Sequence, residues 1–213
     1  MNILYISHCA PDRPDKGEKI RVHHFLKCLA KRHRVHFACL CRNLDETKRT
    51  HALDWGLASV YTEVLNPKLA LARAAVRYAF GQSLTVEYFN STQLSRYLAT
   101  APWRGEIDAI LVYSAAMAGH ADVEVPLVLD LCDLDSEKWF EYDRLRRLPL
   151  LYGIEGKRLR KFERSACERA KATILMTENE ASLVREAIPG ARIEIIANGV
   201  DFDYWQPAAA GCQ

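Results

Sequence analysis

The run Asp130-Leu-Cys-Asp-Leu-Asp-Ser-Glu-Lys-Trp-Phe-Glu-Tyr-Asp143 holds the densest set of side chains able to do chemistry. Its carboxylates can accept hydrogen bonds from hydroxyl groups, and Trp139 and Tyr142 offer faces for stacking on a sugar or a lipid headgroup. The plainer reading makes Asp133 or Asp135 a helix cap and lets Glu137 favour the helix dipole. A cap needs only one carboxylate, however, and Asp130 lies inside an apolar run, so a ligand is the better account. We take Asp133 as a candidate catalytic group and Asp135, Ser136, Trp139 and Ser114 as candidate acceptor contacts. A hydrolase with paired carboxylates stays open, because spacing in sequence does not give the separation of two groups in space.

A second concentration is the loop His8-Cys-Ala-Pro-Asp-Arg-Pro-Asp-Lys-Gly-Glu-Lys-Ile-Arg21. Its one glycine, Gly17, stands at a helix start, where backbone N–H groups can approach a phosphate closely. Lys16, Lys19 and Arg21 would add charge, and we take Gly17, Lys19 and Arg21 as candidate phosphate contacts; the alternative is a solvated loop. Neither GxGxxG nor GxxxxGK[ST] is present, which argues against a dinucleotide fingerprint and a P-loop. His120 is a candidate general base, although a lone histidine at a loop edge is more often structural.

These residues need a scaffold, and the chain alternates short apolar runs with helical patterns, the signature of a parallel sheet covered on both faces. Strands are expected at Asn2 to Ser7, Val35 to Cys41, Ser59 to Val64, Asp108 to Tyr113, Leu127 to Leu131, Thr173 to Thr177 and Ile193 to Ala197. Helices are expected from Glu18 to Lys31, from a cap at Asp45 toward Trp55, from Leu69 to Phe80, from Ser91 to Ala99 behind a cap at Asn90, from Ile154 to Lys171 and from Glu178 to Ala187 behind Thr177. The expected fold is therefore α/β, a doubly wound, Rossmann-like, mostly parallel sheet of six to seven strands. Such sheets bind ligands beyond the carboxyl ends of their strands, and the loop after Ser7, Ser114 and the acidic run all fall there.

With 213 residues, about half of them apolar, the chain can bury a continuous core, and a net charge of +2 implies no global field for nucleic acid. The seven cysteines show no CxxC pair and no zinc spacing, so they read as reduced thiols of a cytoplasmic protein with no metal site. No secretion signal is visible, and the longest weakly polar run, Ala109 to Gly119, falls far short of the roughly 20 residues of a spanning helix. Lys157, Arg158, Arg160, Lys161 and Arg164, with Arg144, Arg146 and Arg147 upstream, make the most basic stretch. They are an expected contact with anionic lipid at the inner face of the cell membrane, unless they form only a solvated helix face.

Taken in order, the parts resemble the first half of a glycosyltransferase family 4 enzyme with the two-domain GT-B fold. The resemblance rests on the Pro/Asp-rich loop leading to Gly17 and Arg21, Lys31-Arg-His-Arg-Val35, Phe162-Glu163 and Ala172-Thr-Ile-Leu-Met-Thr-Glu-Asn-Glu180. It rests most on Ile196-Ala-Asn-Gly-Val-Asp201 followed by Phe202, Tyr204, Trp205 and Pro207, which in that family marks the crossing between domains. The segment 130 to 139 looks like the branch associated with exosortase (PEP-CTERM) exopolysaccharide systems.

The resemblance implies retaining transfer from a nucleotide diphosphate sugar to a polysaccharide or lipid-linked acceptor without a metal, with Gly17 near the donor phosphates. It implies an acceptor-side domain over 1–197, with 198–213 a linker or the start of a missing C-terminal donor domain, and no activity without that domain. Many members carry a histidine after the fifth strand; Cys132 stands there instead, followed by Asp133. The competing expectations are a non-catalytic acceptor- or membrane-binding module and, further off, a nucleotide-binding oxidoreductase or a Cys39-x-Cys41 redox protein.

Overall fold

The computed structural model describes residues 1–121, 124–145 and 149–199. Arg146, Arg147, the residues from Val200 to Pro207 and the expected linker tail lie outside the described residues. Seven strands form one sheet: β1 (Asn2–Ser7), β2 (Arg34–Cys41), β3 (Ser59–Val64), β4 (Ala109–Tyr113), β5 (Leu127–Cys132), β6 (Ala172–Leu175) and β7 (Ile193–Ile195). Their order is β3-β2-β1-β4-β5-β6-β7, and every neighbouring pair is parallel. The expected doubly wound α/β fold is the fold observed.

Alternation along the strands supplies two cores. Leu4 and Ile6 face one layer together with Leu94, Leu129 and Val184, whereas Tyr5 and Phe37 face the other with Val22 and Leu26. The helices are α1 (Gly17–Ala30), α2 (Leu44–His51), α3 (Pro67–Ala79), α4 (Leu84–Phe89), α5 (Thr92–Thr100), α6 (Asp135–Leu145), α7 (Pro149–Arg169) and α8 (Glu178–Ala187), with 3-10 turns at Arg104–Glu106 and Ala115–His120.

Several boundaries differ from the expectation, each for a local reason. Asn43, not Asp45, caps α2 by accepting from the Glu46 amide, and that helix stops at His51, short of Trp55. Ser91, not Asn90, caps α5 by accepting from the Leu94 amide. Thr177 leaves β6 to form a reciprocal capping box with Glu180, so the strand ends at Leu175. β7 likewise ends at Ile195, before Ala197. The long basic helix starts at Pro149, five positions before the expected Ile154. The short helix α4 was not expected; its six residues are too few for periodicity to show, and Ser83 starts it by accepting from the Val86 amide.

Candidate functional site

The sheet order reverses at β1 and β4, adjacent strands whose outgoing chains part, and a crevice opens beyond their carboxyl ends. A cleft of about 490 Å3 lies there, and its lining brings together Gly17, Arg21, Ser114, Asp133, Asp135 and Trp139. The first strand, the fourth strand and the acidic run thus meet in one hollow, as their places at strand ends suggested.

The cleft floor is strained. Among the described residues, the only non-glycine residues with positive φ are Ser114 (73°) and Cys132 (62°), and both line this cleft. Such backbone costs about 1–3 kcal/mol per residue and persists only where the surroundings impose it. Here the Ser114 amide donates to the Asp130 carbonyl at 3.0 Å, and the pairing of β5 with β6 slips between Asp130 and Cys132. That bulge turns the chain out of the sheet at the point where the acidic run begins.

On the wall formed by α6, the Lys138 ammonium sits 2.9 Å from both Asp133 and Asp135. Burial works against its charge, but Asp135 and Asp133 outweigh burial and raise its pKa. The two carboxylates thereby stay close together with outer lone pairs free for hydroxyl donors. Trp139 is anchored by its indole N–H, which donates to the Thr85 hydroxyl at 3.2 Å, and Tyr142 and Tyr152 pack around it with ring centroids 6.3 and 5.7 Å away.

Opposite this wall, α1 begins at Gly17 with no side-chain cap. A Cβ placed on Gly17 would meet no atom within 4 Å, so the helix start faces open space. Its first-turn amides are those a cap would otherwise satisfy, which is the geometry that receives an anion. Arg21 grips Asp130 at 2.9 and 2.8 Å through Nε and, through Nη1, the Ile196 carbonyl at 3.1 Å and Asn198 Oδ1 at 2.8 Å. Burial alone would discourage the guanidinium's charge, and Asp130 more than offsets it, so Arg21 holds its proton above the usual range. It ties the segment after β7 to the core of β5, and among the described residues its buried Nη2 has no hydrogen-bond partner.

Three expected site residues serve the fold instead. The Lys19 ammonium is buried between Asp12 at 2.8 Å and Glu46 at 2.9 Å, away from the cleft lining, and cannot reach a phosphate there. Ser136 is fully buried, donating its hydroxyl to Glu163 and accepting from Arg160 Nε at 2.8 Å, which closes it to an acceptor. His120 is buried outside the cleft, with Nε2 3.1 Å from the Phe89 carbonyl and Nδ1 2.8 Å from Ser95 Oγ. The Ser91 amide also lies 3.5 Å from Nε2, and burial lowers the imidazole pKa. Its ring pins the 3-10 turn to α5 and lies apart from the cleft that holds Asp133.

The basic stripe of α7 is also partly engaged within the protein. Arg158 donates to the Tyr78 carbonyl at 2.7 Å, Arg160 pairs with Glu137, and Arg164 donates to the Ala187 carbonyl at 2.9 Å. Lys157 and Lys161 remain exposed.

Two parts of the cleft escaped the sequence reading. His8 stacks on Tyr113 with centroids 5.3 Å apart and rings nearly parallel, and its Nε2 lies 3.5 Å from Glu18. The hydrogen bond with His8 draws the Glu18 carboxyl down to about 2, although burial opposes it. His8 follows β1 directly, so its position at a strand end was the available signal. Helix α4 supplies Thr85 and Phe89 to the cleft, and nothing in its composition marked it.

Comparison with known proteins agrees with this architecture. The Glycosyltransferase Family 4 domain matches residues 17–204. No curated protein matches. Among solved structures, the chain is similar to a sucrose-phosphate synthase from Thermosynechococcus elongatus at a TM-score of 0.61 and 14% identity, covering 98% of this chain and 51% of that one. It also resembles Glycyrrhiza uralensis UGT73P12 complexed with glycyrrhetinic acid 3-O-monoglucuronide, at a TM-score of 0.48 and 11% identity over 92% of this chain and 48% of that one. The chain thus spans about half the length of these solved chains. Its likeness to the sucrose-phosphate synthase shows the Rossmann-like α/β arrangement of GT-B glycosyltransferases. On the match over most of its length, the chain belongs to glycosyltransferase family 4.

Proposed function

We propose that this chain is the acceptor-side domain of a retaining glycosyltransferase that moves a sugar from a nucleotide diphosphate sugar to a saccharide or lipid-linked acceptor, without a metal. The observation that carries this reading is the single hollow shared by the uncapped start of α1 at Gly17 and the acidic, aromatic wall of Asp133, Asp135 and Trp139. One side suits the donor's phosphates and the other suits acceptor hydroxyls and a sugar face. Within this reading Asp133 acts at the reacting hydroxyl, Asp135, Trp139 and Ser114 hold the acceptor, and Gly17 meets the diphosphate with Arg21 as its electrostatic support. The 130 to 139 segment favours an exopolysaccharide acceptor of the exosortase-associated kind, in the cytoplasm. Stabilisation of the departing diphosphate needs groups from a second, donor-binding domain, so the chain alone is expected to be inactive.

Titration calorimetry with oligosaccharides and nucleotide diphosphates, followed by a transfer assay with and without an added donor domain, tests this. Saccharide binding that weakens about tenfold or more in Trp139→Ala or Asp135→Asn, with transfer only in the presence of the donor domain, is the expected result. Unchanged binding in both variants would remove the cleft from consideration, and transfer by the chain alone would remove the requirement for a second domain.

A further inference from the structure

Helix α3 is built the wrong way round for a helix facing water. Its buried side holds Ala70 and Ala74, whereas Leu69, Leu71 and Val76 are 66%, 53% and 59% exposed and Phe80, directly after it, is 78% exposed. Leu69, Ala72, Val76 and Phe80 follow one another at spacings of three and four, a single stripe with Ala75 beside it, while Leu71 stands at the far edge of the exposed arc. Lys68 is the one charged residue on this outer arc. Large apolar side chains gathered on one exposed face mark a surface that is covered in use.

The charges around the stripe decide what covers it. Helix α3 has no Asp or Glu; of its cations, Arg77 lies 3.6 Å from Glu87 and Arg73 donates to the Glu87 carbonyl at 3.1 Å, which leaves Lys68 beside the stripe for an outside partner. Helix α7 meets its last turn at Tyr78, whose hydroxyl donates to the Leu151 carbonyl at 3.2 Å and whose carbonyl accepts from Arg158, and it adds exposed Leu151, Lys157 and Lys161. A second copy docking by the same face would set these cations against their own counterparts with no carboxylate on α3 to answer them. An anionic bilayer surface answers both features, taking the apolar stripe into its headgroup boundary and the cations onto its phosphates. Among the described residues no helix is long and apolar enough to cross a membrane, so contact of this kind lies in the surface plane.

We propose that α3 is a membrane-docking helix that seats this domain on anionic lipid through Leu69, Val76 and Phe80. This places the contact on α3, where the sequence had suggested the basic stripe of α7. The docking stands independently of the reading of the cleft. Combined with that reading, it selects the lipid-linked acceptor, because α4 follows α3 and lends Thr85 and Phe89 to the cleft.

Flotation of the chain with phosphatidylcholine vesicles and with phosphatidylcholine vesicles containing phosphatidylglycerol tests the proposal. The native chain should float with the anionic vesicles and far less with the neutral ones. The pair Val76→Ser and Phe80→Ser should lower the partition by about tenfold or more, and Lys68→Glu by about fivefold or more. These side chains are exposed, and unchanged circular dichroism confirms that the variants fold. No flotation of the native chain, an undiminished partition of the Val76→Ser and Phe80→Ser pair, or a larger loss from Lys157→Ala with Lys161→Ala than from the α3 variants would each overturn it. A concentration-dependent dimer that the Val76→Ser and Phe80→Ser pair dissolves would assign the face to a second copy and overturn it equally. Saccharide binding is read separately, so failure of the docking and failure of the cleft remain distinguishable.

Discussion

Replacing Glu163 by glutamine exchanges one oxygen for nitrogen in the buried joint between α6 and α7, and it should change how stability depends on pH. Both Glu163 oxygens accept from Ser136, one from its amide at 3.1 Å and the other from its hydroxyl, with Arg160 Nε 3.7 Å away. Burial nevertheless dominates and pushes the carboxyl from 4.5 up to about 7. Between those values the folded protein keeps a proton that the unfolded chain has released. Stability is therefore highest below the unfolded value, falls as pH rises, and reaches its floor once pH passes about 7. At about 1.4 kcal/mol for each tenfold in proton affinity, the ionised form costs about 3 kcal/mol.

Glutamine is held in the uncharged state throughout, at the cost of one acceptor for the Ser136 hydroxyl, about 1 kcal/mol. Glu163→Gln should thus be slightly less stable than the native protein in acid and more stable by about 2 kcal/mol above neutrality. Urea titrations followed by circular dichroism at a series of pH values give the difference curve, in which groups common to both proteins cancel. A difference that rises with pH by about 3 kcal/mol supports the reasoning. Parallel curves would show that Glu163 ionises without penalty and would refute it.

Lys19→Met should cost about 3–5 kcal/mol in urea unfolding, because it leaves the buried Asp12 and Glu46 without their ammonium. Gly156→Ala should lower the melting temperature despite its gain of about 1 kcal/mol in helix propensity, since the added Cβ would lie 2.7 Å from the Phe140 ring and overpacking costs about 1–3 kcal/mol. Iodoacetamide under native conditions, mapped by mass spectrometry, should modify Cys28 well before Cys9, Cys39, Cys41, Cys132 and Cys167. Burial pushes the Cys9 thiol up to about 12 and the Cys167 thiol to about 11, which removes the reactive thiolate.

Periodicity made the layers legible: all seven strands lie where apolar runs stood, and the resemblance resting on Gly17, Phe162-Glu163 and Asn198-Gly199 led to the family that the domain match shows. The cleft was legible to the extent that it follows from topology, since Ser114, Asp133 and Gly17 were chosen as neighbours of strand ends. The candidates found engaged within the chain share one trait. Lys19, Ser136 and His120 are polar residues close to a strand end or a helix start, and sequence does not show whether such a group faces a ligand or a partner in the same chain. Lys19 finds its partner Glu46 27 residues away, and Ser136 finds Glu163 at the same separation. Separations of that size are set by tertiary packing, which local pattern does not encode.

The strained floor of the cleft shows the same limit from the other side. Glycine is the residue by which a sequence announces unusual backbone, and that rule drew attention to Gly17, whose φ is not positive. In the cleft floor the left-handed positions belong instead to Ser114 and Cys132, residues that bear the strain and still present a side chain, while the glycines with positive φ, Gly56, Gly81 and Gly190, lie elsewhere. Their conformation is imposed by the Asp130 carbonyl bond and the slip of β5 against β6, and Asp130 is itself fixed by Arg21 reaching from α1 to the segment after β7. A single buried ion pair thus links α1, the strand that leads into the acidic run and the segment after β7. Any movement of that segment must act on the cleft floor through Arg21, which makes the pair a positioning element of the cleft.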